Sequence, residues 1–442
     1  MNRFSKYTHW VEDGEYIIAF NLASNGYLLL NKELSNLVKG HKNNIDQLQQ
    51  IHPDFYAQMQ QMRLIVPENS DEVKELVAEW ERQDNDTSSF SIIINPTLGC
   101  NLRCWYCYEN HNQMPMMEEK VVKSIYRLLD KKTENPELEK LNVSFFGGEP
   151  LLGLEQVVLP VLSYAAMLCK KNGISLSSNF TTNGVLLSAE TLNRLDAIKM
   201  DHTASFQISL DGNRDFHDQS RIGIHKEPTY ETIIHNIKQA VASQHMVYVR
   251  LNYTAANISS FADVLEDFTM LSETEKTFVK FNFQQIWQDQ QQNDVTSLML
   301  DMKDLFRKEG FEVDSDHICH RHVCYADCEN HIVINYDGYL FKCTARDFNQ
   351  NRSEGRLTED GDIVWNEKYL QRMHIKYTNK ACLNCSILPI CNGGCTQKKL
   401  DAHNTDKCYI GMDEEAKNER ILHWMKKLIM SNHTKKTECY EK

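Results

Sequence analysis

Apolar and polar positions repeat with two different periods along the middle of the chain. Short runs rich in β-branched and aromatic residues predict six strands, at 90–95, 141–146, 174–182, 205–210, 247–253 and 279–286. Helical periodicity predicts helices at 117–131, 154–171, 188–198, 229–243, 259–271 and 294–309. This alternation predicts a parallel sheet with right-handed crossovers, in which ligand sites lie at the carboxyl ends of the strands.

The first 85 residues follow another pattern, and we predict a small separate domain there. Apolar runs at 16–20 and 27–30 flank an Asn-Gly turn and predict a hairpin. Helices are predicted at 32–39, 53–62 and 71–82, and a short strand at 64–66. Ser70 is the predicted N-cap of the third helix. A hairpin with three short helices is compatible with a winged-helix arrangement, and polar residues 83–89 predict a linker.

Three cysteines follow the first strand of the predicted sheet. Cys100, Cys104 and Cys107 have C-x₃-C-x₂-C spacing, so one loop can bring all three thiolates to a single metal centre. A cuboidal iron–sulfur cluster normally takes four thiolates, and three therefore leave one iron open for a non-protein ligand. A zinc knuckle or buried free thiols would be the alternative interpretation of an isolated motif.

The residues around these thiols resemble the radical S-adenosylmethionine (SAM) enzymes. The resemblance rests on Asn101, Arg103, Tyr106 and Glu109, and on Gly147-Gly148-Glu149-Pro150 after the second strand. It implies an incomplete (β/α)6 barrel with a [4Fe–4S] cluster, whose open iron chelates the amino and carboxylate groups of SAM. Both segments follow strands, and they therefore fall on the same rim of the predicted sheet.

The resemblance also implies SAM contacts at the strand ends. Gly147, Gly148 and Glu149 would meet the methionine amino group, because small residues let backbone acceptors approach and a carboxylate suits an ammonium. Other contacts are expected from Tyr106, Thr181, Thr182, Asn183, Gly184, Ser209, Leu210, Asp211, Gly212, His217, Arg221 and Asn252. Arg221 would pair with the SAM carboxylate. Each polar residue alone could equally be a strand-end cap or a turn former.

A second cysteine pattern lies in the C-terminal part of the chain. Its members are Cys343, Cys382, Cys385, Cys391, Cys395 and Cys408. The spacing resembles the SPASM extension of radical SAM enzymes, which carries two auxiliary [4Fe–4S] clusters. Zinc ribbons are the alternative, although they usually repeat C-x₂-C twice and one such pair occurs here.

The resemblance assigns ligands to both auxiliary clusters. The second would take Cys382, Cys385, Cys391 and Cys408, and the first would take Cys343, Cys395 and two of Cys319, Cys324 and Cys328. Three clusters of this kind need eleven cysteine ligands. Of the fourteen cysteines, Cys169 and Cys439 lie outside the motifs, so twelve remain and one of them is spare. We favour Cys319 and Cys324 as ligands over Cys328.

Composition narrows the function further. A net charge of −13 argues against a nucleic-acid partner, because no basic surplus exists to neutralise phosphates. No apolar run approaches the roughly 18–20 residues that span a bilayer, and the first residues lack the apolar h-region of a secretory signal, so we expect no membrane partner. Fourteen cysteines in that setting indicate metal ligation in a reducing compartment, and we expect the cytoplasm.

We therefore expect an α/β protein with an incomplete (β/α)6 radical SAM barrel, an N-terminal winged-helix-like domain and a C-terminal cysteine-rich SPASM domain. The expected domains are a leader-recognition domain at 1–85, the barrel at 90–310, the SPASM domain at 311–412 and a helix and tail at 413–442. The expected cofactors are SAM and three [4Fe–4S] clusters. The expected partners are a ribosomally made precursor peptide and a reductant such as flavodoxin or ferredoxin.

The resemblance implies a peptide maturase that forms a 5′-deoxyadenosyl radical, abstracts a hydrogen from the precursor and installs a thioether, C–C or ether cross-link. A sulfatase maturase that forms formylglycine is one alternative. Such enzymes usually lack the N-terminal domain and carry Asp where this chain has Thr344. A small-molecule or cofactor-forming SPASM enzyme is another. A degenerate, non-catalytic binding partner is disfavoured by the intact Cys100, Cys104 and Cys107.

Overall fold

A computed structural model describes residues 1–109, 113–289, 295–314, 324–402 and 406–440. The chain divides into two compact units. The first contains Met1–Asn85, His317–Cys328 and Gln371–Lys442, and the second contains Asp86–Asp316 and Glu329–Leu370. The segment predicted as a SPASM domain thus contributes residues to both units. The predicted ligand Cys319 lies outside the described residues.

Short strands and helices begin the first unit. The strands are Asn2–Phe4 (β1), Thr8–Asp13 (β2), Tyr16–Asn21 (β3), Tyr27–Leu30 (β4) and Ile65–Pro67 (β5). β2, β3 and β4 form an antiparallel sheet with β3 in the centre, and β1 pairs with β5. The helices are Lys32–Gly40 (α1), Leu48–Ile51 (α2), Pro53–Gln61 (α3) and Glu72–Asp84 (α4). The predicted hairpin is confirmed, whereas the sequence did not predict β1 and β2.

The predicted cap of α4 is wrong by one residue. The side chain of Asp71, and not that of Ser70, accepts a hydrogen bond from the backbone N–H of Lys74. Both residue types serve as N-caps, so composition alone does not distinguish them. α4 runs to Asp84 and the next strand begins at Ser89, which shortens the predicted linker to four residues.

The second unit is built on one eleven-stranded sheet. Its strands are Ser89–Ile94 (β6), Lys140–Phe145 (β8), Ser175–Thr182 (β9), Ser205–Leu210 (β10), Val247–Tyr253 (β12), Val279–Gln285 (β13), Glu312–Val313 (β14), His331–Ile334 (β15), Tyr339–Phe341 (β16), Gly355–Leu357 (β17) and Ile363–Trp365 (β18). The order is β14-β13-β12-β10-β9-β8-β6-β15-β16-β17-β18, parallel as far as β15 and antiparallel beyond it. Leu102–Cys104 (β7) and Arg221–Gly223 (β11) pair separately.

Helices follow most of the parallel strands. They are Glu119–Thr133 (α5), Leu159–Asn172 (α6), Ala189–Asp196 (α7), Arg214–Ser220 (α8), Tyr230–Ala242 (α9), Phe261–Glu266 (α10), Glu273–Lys276 (α11) and Thr296–Lys308 (α12). The predicted helix at 259–271 is shorter than expected. β6, β8, β9 and β10 alternate strictly, with residues such as Ile92, Val143 and Ile208 fully buried in the core. The residues between them are half-buried and mostly polar, as on the open inner face of a partial barrel.

The expectation that no apolar run approaches membrane-spanning length needs correction. The helical segment Pro150–Asn172 is long and apolar enough to cross a bilayer by length and composition alone. Val157, Val158, Val161 and Leu162 of this segment are fully buried in the core of the second unit. Its apolar character is thus explained by packing inside the protein.

The C-terminal helices complete the chain. They are Glu367–Thr378 (α13), Lys380–Leu383 (α14), Leu388–Cys391 (α15), Thr396–Ala402 (α16) and Glu414–Tyr440 (α17). In the first unit Ile387, Ile390 and Trp424 share one core with Phe20 and Trp80 from the N-terminal region. Residues 1–85 therefore pack as one body with the C-terminal cysteine-rich segment. The winged-helix interpretation of those residues stays a prediction.

Candidate functional site

The cysteine loop is held against the glycine turn after β8. The backbone N–H of Gly148 donates to the carbonyl of Thr97 (3.1 Å), and that of Glu149 donates to the carbonyl of Gly99 (2.8 Å). A Cβ on Gly147 would lie 2.4 Å from the Thr97 oxygen, and one on Gly148 would lie 2.2 Å from the Gly99 oxygen. The two glycines are thus required for the close approach of these loops.

A short antiparallel pair of strands fixes the other side of the loop. β7 contains Cys104 and pairs with β11, whose first residue, Arg221, lies opposite Cys104 in the register. The buried side chain of Asn183 donates to Asn101 Oδ1 (2.7 Å) and to the Cys100 sulfur (3.7 Å). The cysteine loop is therefore held by β11 and by the residue that follows β9, both in the second unit.

Glu149 is fully buried beneath the loop. Its Oε1 accepts hydrogen bonds from the Leu151 N–H (3.0 Å) and the Thr182 hydroxyl (2.8 Å), and its Oε2 accepts from the Asn183 N–H (2.8 Å). Burial raises the pKa of this carboxyl, although these donors oppose the shift. The carboxylate therefore joins the ends of β8 and β9, and its predicted contact with the SAM amino group stays a prediction.

Tyr106 joins three other predicted contact residues. Its hydroxyl accepts from Arg221 Nη1 (2.7 Å) and Asn252 Nδ2 (3.1 Å), and donates to Asp211 Oδ1 (3.0 Å). Asn252 also donates to the same oxygen of Asp211 (3.1 Å). Burial raises the pKa of the Tyr106 hydroxyl well above its usual value, while the neighbouring guanidinium opposes the shift. These four side chains form one buried polar network.

His217 supports this network from behind. Its Nδ1 lies 3.4 Å from the Asp211 N–H, and its Nε2 lies 3.2 Å from the Thr229 hydroxyl. Burial lowers the pKa of this imidazole well below its usual value, and the charge of Arg221 lowers it further. A neutral, buried histidine of this kind positions the turn after β10.

Most of the predicted contact residues surround one cavity of about 200 Å³, but Glu149, Asp211 and His217 are not among the residues that line it. Its lining includes Cys100, Cys104, Tyr106, Cys107, Glu109, Gly147, Gly148, Thr181, Thr182, Asn183, Ser209, Arg221 and Asn252. Burial raises the pKa of the Cys100 thiol to about 12 and that of Cys107 to about 11. It also raises the pKa of the Glu109 carboxyl to about 8. Among the described residues, no three His, Cys, Asp or Glu side chains are grouped tightly enough for a single metal ion.

Comparison with known proteins identifies this part of the chain. Residues 94–268 match the family described as the radical SAM superfamily. These residues are a radical SAM domain. The match includes the cysteine loop, the glycine turn and the network of Tyr106, Asp211, Arg221 and Asn252. The domain implies an enzyme that uses SAM and a [4Fe–4S] cluster.

Three relatives resemble more of the chain. A serine-type anaerobic sulfatase-maturating enzyme of Klebsiella pneumoniae is 23% identical over 349 residues, which cover 72% of this chain and 85% of that protein. The structure of anSMEcpe with bound AdoMet and Cp18Cys peptide has a TM-score of 0.57 at 18% identity, and covers 78% of this chain and 99% of its own. Streptococcus suis SuiB bound to precursor peptide SuiA has a TM-score of 0.51 at 14% identity, and covers 92% and 98%.

The cavity has further lining residues that sequence reasoning missed. Gln207, Arg250, Gln285, Trp287 and Gln288 also line the cavity. Gln207 and Arg250 lie on the polar, half-buried positions of β10 and β12, so the alternation of these strands carried a signal for them. Gln285 ends β13 on the same alternation as the buried Phe281 and Phe283, and the pattern gave no signal for it. Trp287 follows β13 and is 75% exposed. A large aromatic residue just after a predicted strand was the sequence signal that could have indicated it.

The cysteines beyond the radical SAM domain are divided between the two units. Cys343 lies in the second unit, whereas Cys382, Cys385, Cys391, Cys395 and Cys408 lie in the first, with Cys324 and Cys328. Burial raises the pKa of the Cys391 thiol to about 11, and the proximity of Cys382, Cys385 and Cys408 adds to the shift. These three thiols are thus near enough to Cys391 to affect its ionisation, and the assignment of the four thiols to the second auxiliary cluster stays a prediction.

Cys408 has the surroundings of a thiolate ligand. Burial opposes its ionisation, but backbone N–H groups of Met412, Ile410 and Gly411 bond to the sulfur and lower its pKa. Such bonds stabilise the anionic sulfur that binds iron. Cys169 is buried in the core of the second unit, in agreement with its interpretation as a packed free thiol.

Proposed function

We propose that this protein is a radical SAM/SPASM maturase that acts on a ribosomally made precursor peptide and installs an oxidative cross-link. The observation that carries the proposal is the convergence of Cys100, Cys104 and Cys107 with the Tyr106 network and the glycine turn on one cavity. A loop with three thiols beside a buried arginine suits a cluster whose fourth position is taken by an amino-acid moiety.

The chain's own residues would bind SAM and orient the reacting groups. When bound, the cluster and SAM supply a one-electron cleavage that yields a hydrogen-abstracting radical. Arg221 is positioned by Tyr106, to whose hydroxyl it donates, and lies opposite Cys104 in the register; it would pair with the SAM carboxylate. The cavity and its buried polar walls exclude bulk water and fix the position of the reacting group.

We propose three [4Fe–4S] clusters. Cys100, Cys104 and Cys107 would hold the first, and Cys382, Cys385, Cys391 and Cys408 would hold the second auxiliary cluster. Cys343, Cys395 and two of Cys319, Cys324 and Cys328 would hold the remaining one. Cys324 and Cys328 differ in exposure, with Cys328 the more buried, but this difference does not select the spare thiol. Flavodoxin or ferredoxin would supply the electrons.

The N-terminal sheet supports a peptide substrate. Within the described residues β4 pairs with β3 alone, so its other edge is open, and Leu29 on this strand is 57% exposed. An open edge can capture an extended leader segment by strand addition. SuiB, whose structure was solved with a precursor peptide, covers 92% of this chain, against 78% for anSMEcpe. The anSMEcpe match has the higher TM-score, 0.57 against 0.51, so the two structures support the precursor-peptide and sulfatase hypotheses about equally.

Formation of formylglycine on a sulfatase is the second candidate. The sequence relative from Klebsiella pneumoniae, which covers 72% of the chain, favours it. Thr344 in place of the expected Asp counts against it. The two candidates share the radical SAM chemistry and differ in the substrate and in the fate of the substrate radical.

One experiment separates the two candidates. Anaerobically reconstituted enzyme is incubated with SAM, dithionite and either a precursor peptide encoded beside its gene or a sulfatase-derived peptide, and the products are fragmented by mass spectrometry. A cross-link gives a product that loses hydrogen and resists fragmentation between the joined residues. Formylglycine gives a linear product that reacts with a hydrazide. Modification of the sulfatase peptide alone would overturn the cross-link proposal.

Iron analysis tests the cluster assignment independently of the substrate. We expect about twelve irons per chain after anaerobic reconstitution, since each [4Fe–4S] site holds four. Replacing Cys100, Cys104 and Cys107 by Ala should remove about a third of the iron and all SAM cleavage. Zinc in place of iron, without sulfide-to-iron absorbance, would contradict the assignment.

A further inference from the structure

A fully buried lysine lies in the cysteine-rich part of the first unit. Lys399, on α16, has 0% exposure, and its Nζ finds no oxygen or nitrogen partner among the described residues. Burying an ammonium without a counter-charge is strongly unfavourable. The position of this side chain therefore requires an anion that protein oxygens do not supply.

The Lys399 ammonium lies beside a predicted cluster ligand. A Cβ built on Gly393 would lie 3.0 Å from Lys399 Nζ and 3.9 Å from the Cys382 sulfur, so both groups flank this glycine. Gly393 has φ of +74°, and the absence of a side chain there leaves room for the ammonium. Burial raises the pKa of the Cys382 thiol, and the charge of the nearby Lys399 ammonium opposes the shift.

Two buried carboxylates of the first unit each have a partner other than Lys399. Asp84 Oδ2 lies 2.5 Å from Lys376 Nζ, and Asp327 accepts a hydrogen bond from the Thr396 hydroxyl (3.0 Å). Buried Arg372 adds another positive charge and donates to Gln397. Among the described residues no hydrogen bond or ion pair joins Lys399 Nζ to any of these groups, and the four thiols would supply the negative charge that balances it.

We propose that Lys399 is the fixed counter-charge of the second auxiliary cluster and raises its reduction potential. The inference rests on the assignment of Cys382, Cys385, Cys391 and Cys408 in the proposed function. A cluster with four thiolates is anionic, and reduction adds one more negative charge. A buried cation close to a ligand sulfur favours the reduced state, because the net charge around a cluster is one of the factors that set its potential. The role fits a cluster that accepts an electron.

The test is a potentiometric titration of the full, reconstituted protein followed by electron paramagnetic resonance. Signals that change on addition of SAM belong to the SAM-binding cluster, and the others belong to the auxiliary clusters. Lys399→Met should make the potential of one SAM-insensitive cluster more negative by at least about 59 mV. This shift corresponds to a tenfold change in the one-electron equilibrium constant. Lys399→Arg should retain most of the original potential.

Lys398→Met is the matched control, because Lys398 is the exposed neighbour on the same helix. It should leave all potentials unchanged. An unchanged potential in Lys399→Met at full iron content would overturn the proposal. Lys399→Met could instead lose about a third of the iron. In that case a normal iron content in Lys399→Arg supports a counter-charge. An equal loss of iron in Lys399→Arg means that Lys399 serves only in packing. Wild-type protein without this cluster would refute the ligand assignment itself.

Discussion

Tyr106 shows how one hydroxyl can order several charged groups. It lies two residues from Cys104 in the cysteine loop, yet its hydroxyl reaches β10, β11 and β12 through Asp211, Arg221 and Asn252. A hydroxyl both donates and accepts, and it can therefore sit between an arginine and a carboxylate. The position of Arg221 depends on this tyrosine as much as on its own strand.

Tyr106→Phe should destabilise the protein without removing iron. The change takes an acceptor from a buried arginine and a donor from a buried carboxylate, which costs about 1–3 kcal/mol. We expect a lower melting temperature, weaker binding of SAM in a titration, and an unchanged iron content, because the hydroxyl is not a cluster ligand. Tyr108→Phe is the control, since that hydroxyl bonds to the Thr344 carbonyl (2.8 Å) at an exposed position. Equal melting temperatures for both variants would contradict the network.

Gly148→Ala should displace the cysteine loop. The new methyl group would lie 2.2 Å from the Gly99 carbonyl oxygen, and backbone cannot yield as a flexible side chain can. Overpacking of this kind costs about 1–3 kcal/mol. We expect the loss of roughly a third of the iron, from the SAM-binding cluster alone. Gly40→Ala, where a Cβ meets nothing within 4 Å, is the control. Full iron and normal SAM cleavage in Gly148→Ala would refute this role.

At the scale of elements, periodicity predicted the six central strands to within a residue or so at each end. Strict alternation of buried and half-buried positions, as in β9 and β10, explains this success. The pairing of β7 with β11 was missed, because each has three residues and carries no apolar pattern of its own. Their register comes from tertiary structure, and tertiary structure also determines the polar network. Sequence predicted which residues meet at the cavity, but not that Glu149 and Tyr106 bond mainly to protein groups.

The open edge of β4 permits a direct test of leader capture. The Asn21 N–H donates to the Gly26 carbonyl (2.9 Å), so Gly26 and Leu28 face β3 while the backbone amides of Tyr27 and Leu29 point outward. Leu29→Pro removes one outward donor without touching the ladder to β3. We expect binding of a labelled precursor peptide, measured by fluorescence anisotropy, to weaken about tenfold.

Leu29→Ala is the matched control for Leu29→Pro, because it removes the side chain and keeps the N–H. SAM cleavage without peptide and iron content should be normal in both variants. Equal weakening by Ala and Pro would assign the effect to a side-chain pocket. Normal binding by Leu29→Pro would place the leader elsewhere or leave the N-terminal sheet as a structural cap.

At the scale of the whole molecule, the N-terminal residues contribute to a hydrophobic core in addition to the open strand edge of β4. Phe20 and Trp80 share a buried core with Ile387, Ile390 and Trp424. Residues 387–390 lie between Cys385 and Cys391, so this core also supports the backbone of two predicted cluster ligands. Deletion of residues 1–85 would therefore expose this core, and point changes at β4 are the cleaner test of peptide binding.

A buried ion pair joins the two ends of the first unit. Asp84, the last residue of α4, lies 2.5 Å from Lys376 Nζ on α13 and also accepts from the Tyr377 hydroxyl. Both charged side chains are almost completely buried. Removal of one partner of such a pair leaves an uncompensated charge and costs about 3–5 kcal/mol. Asp84→Ala should lower the free energy of unfolding by this amount in denaturant titrations.

Glu81→Ala is the control for Asp84→Ala, because Glu81 is exposed on the same helix and should change stability little. Asp84→Ala together with Lys376→Met should recover much of the lost stability, since the second change removes the unpaired charge. We also expect iron bound at Cys382, Cys385, Cys391 and Cys408 to be lost at lower denaturant concentration in Asp84→Ala than in wild type. Unchanged stability in Asp84→Ala would mean that the N-terminal residues contribute little to the body that carries these cysteines.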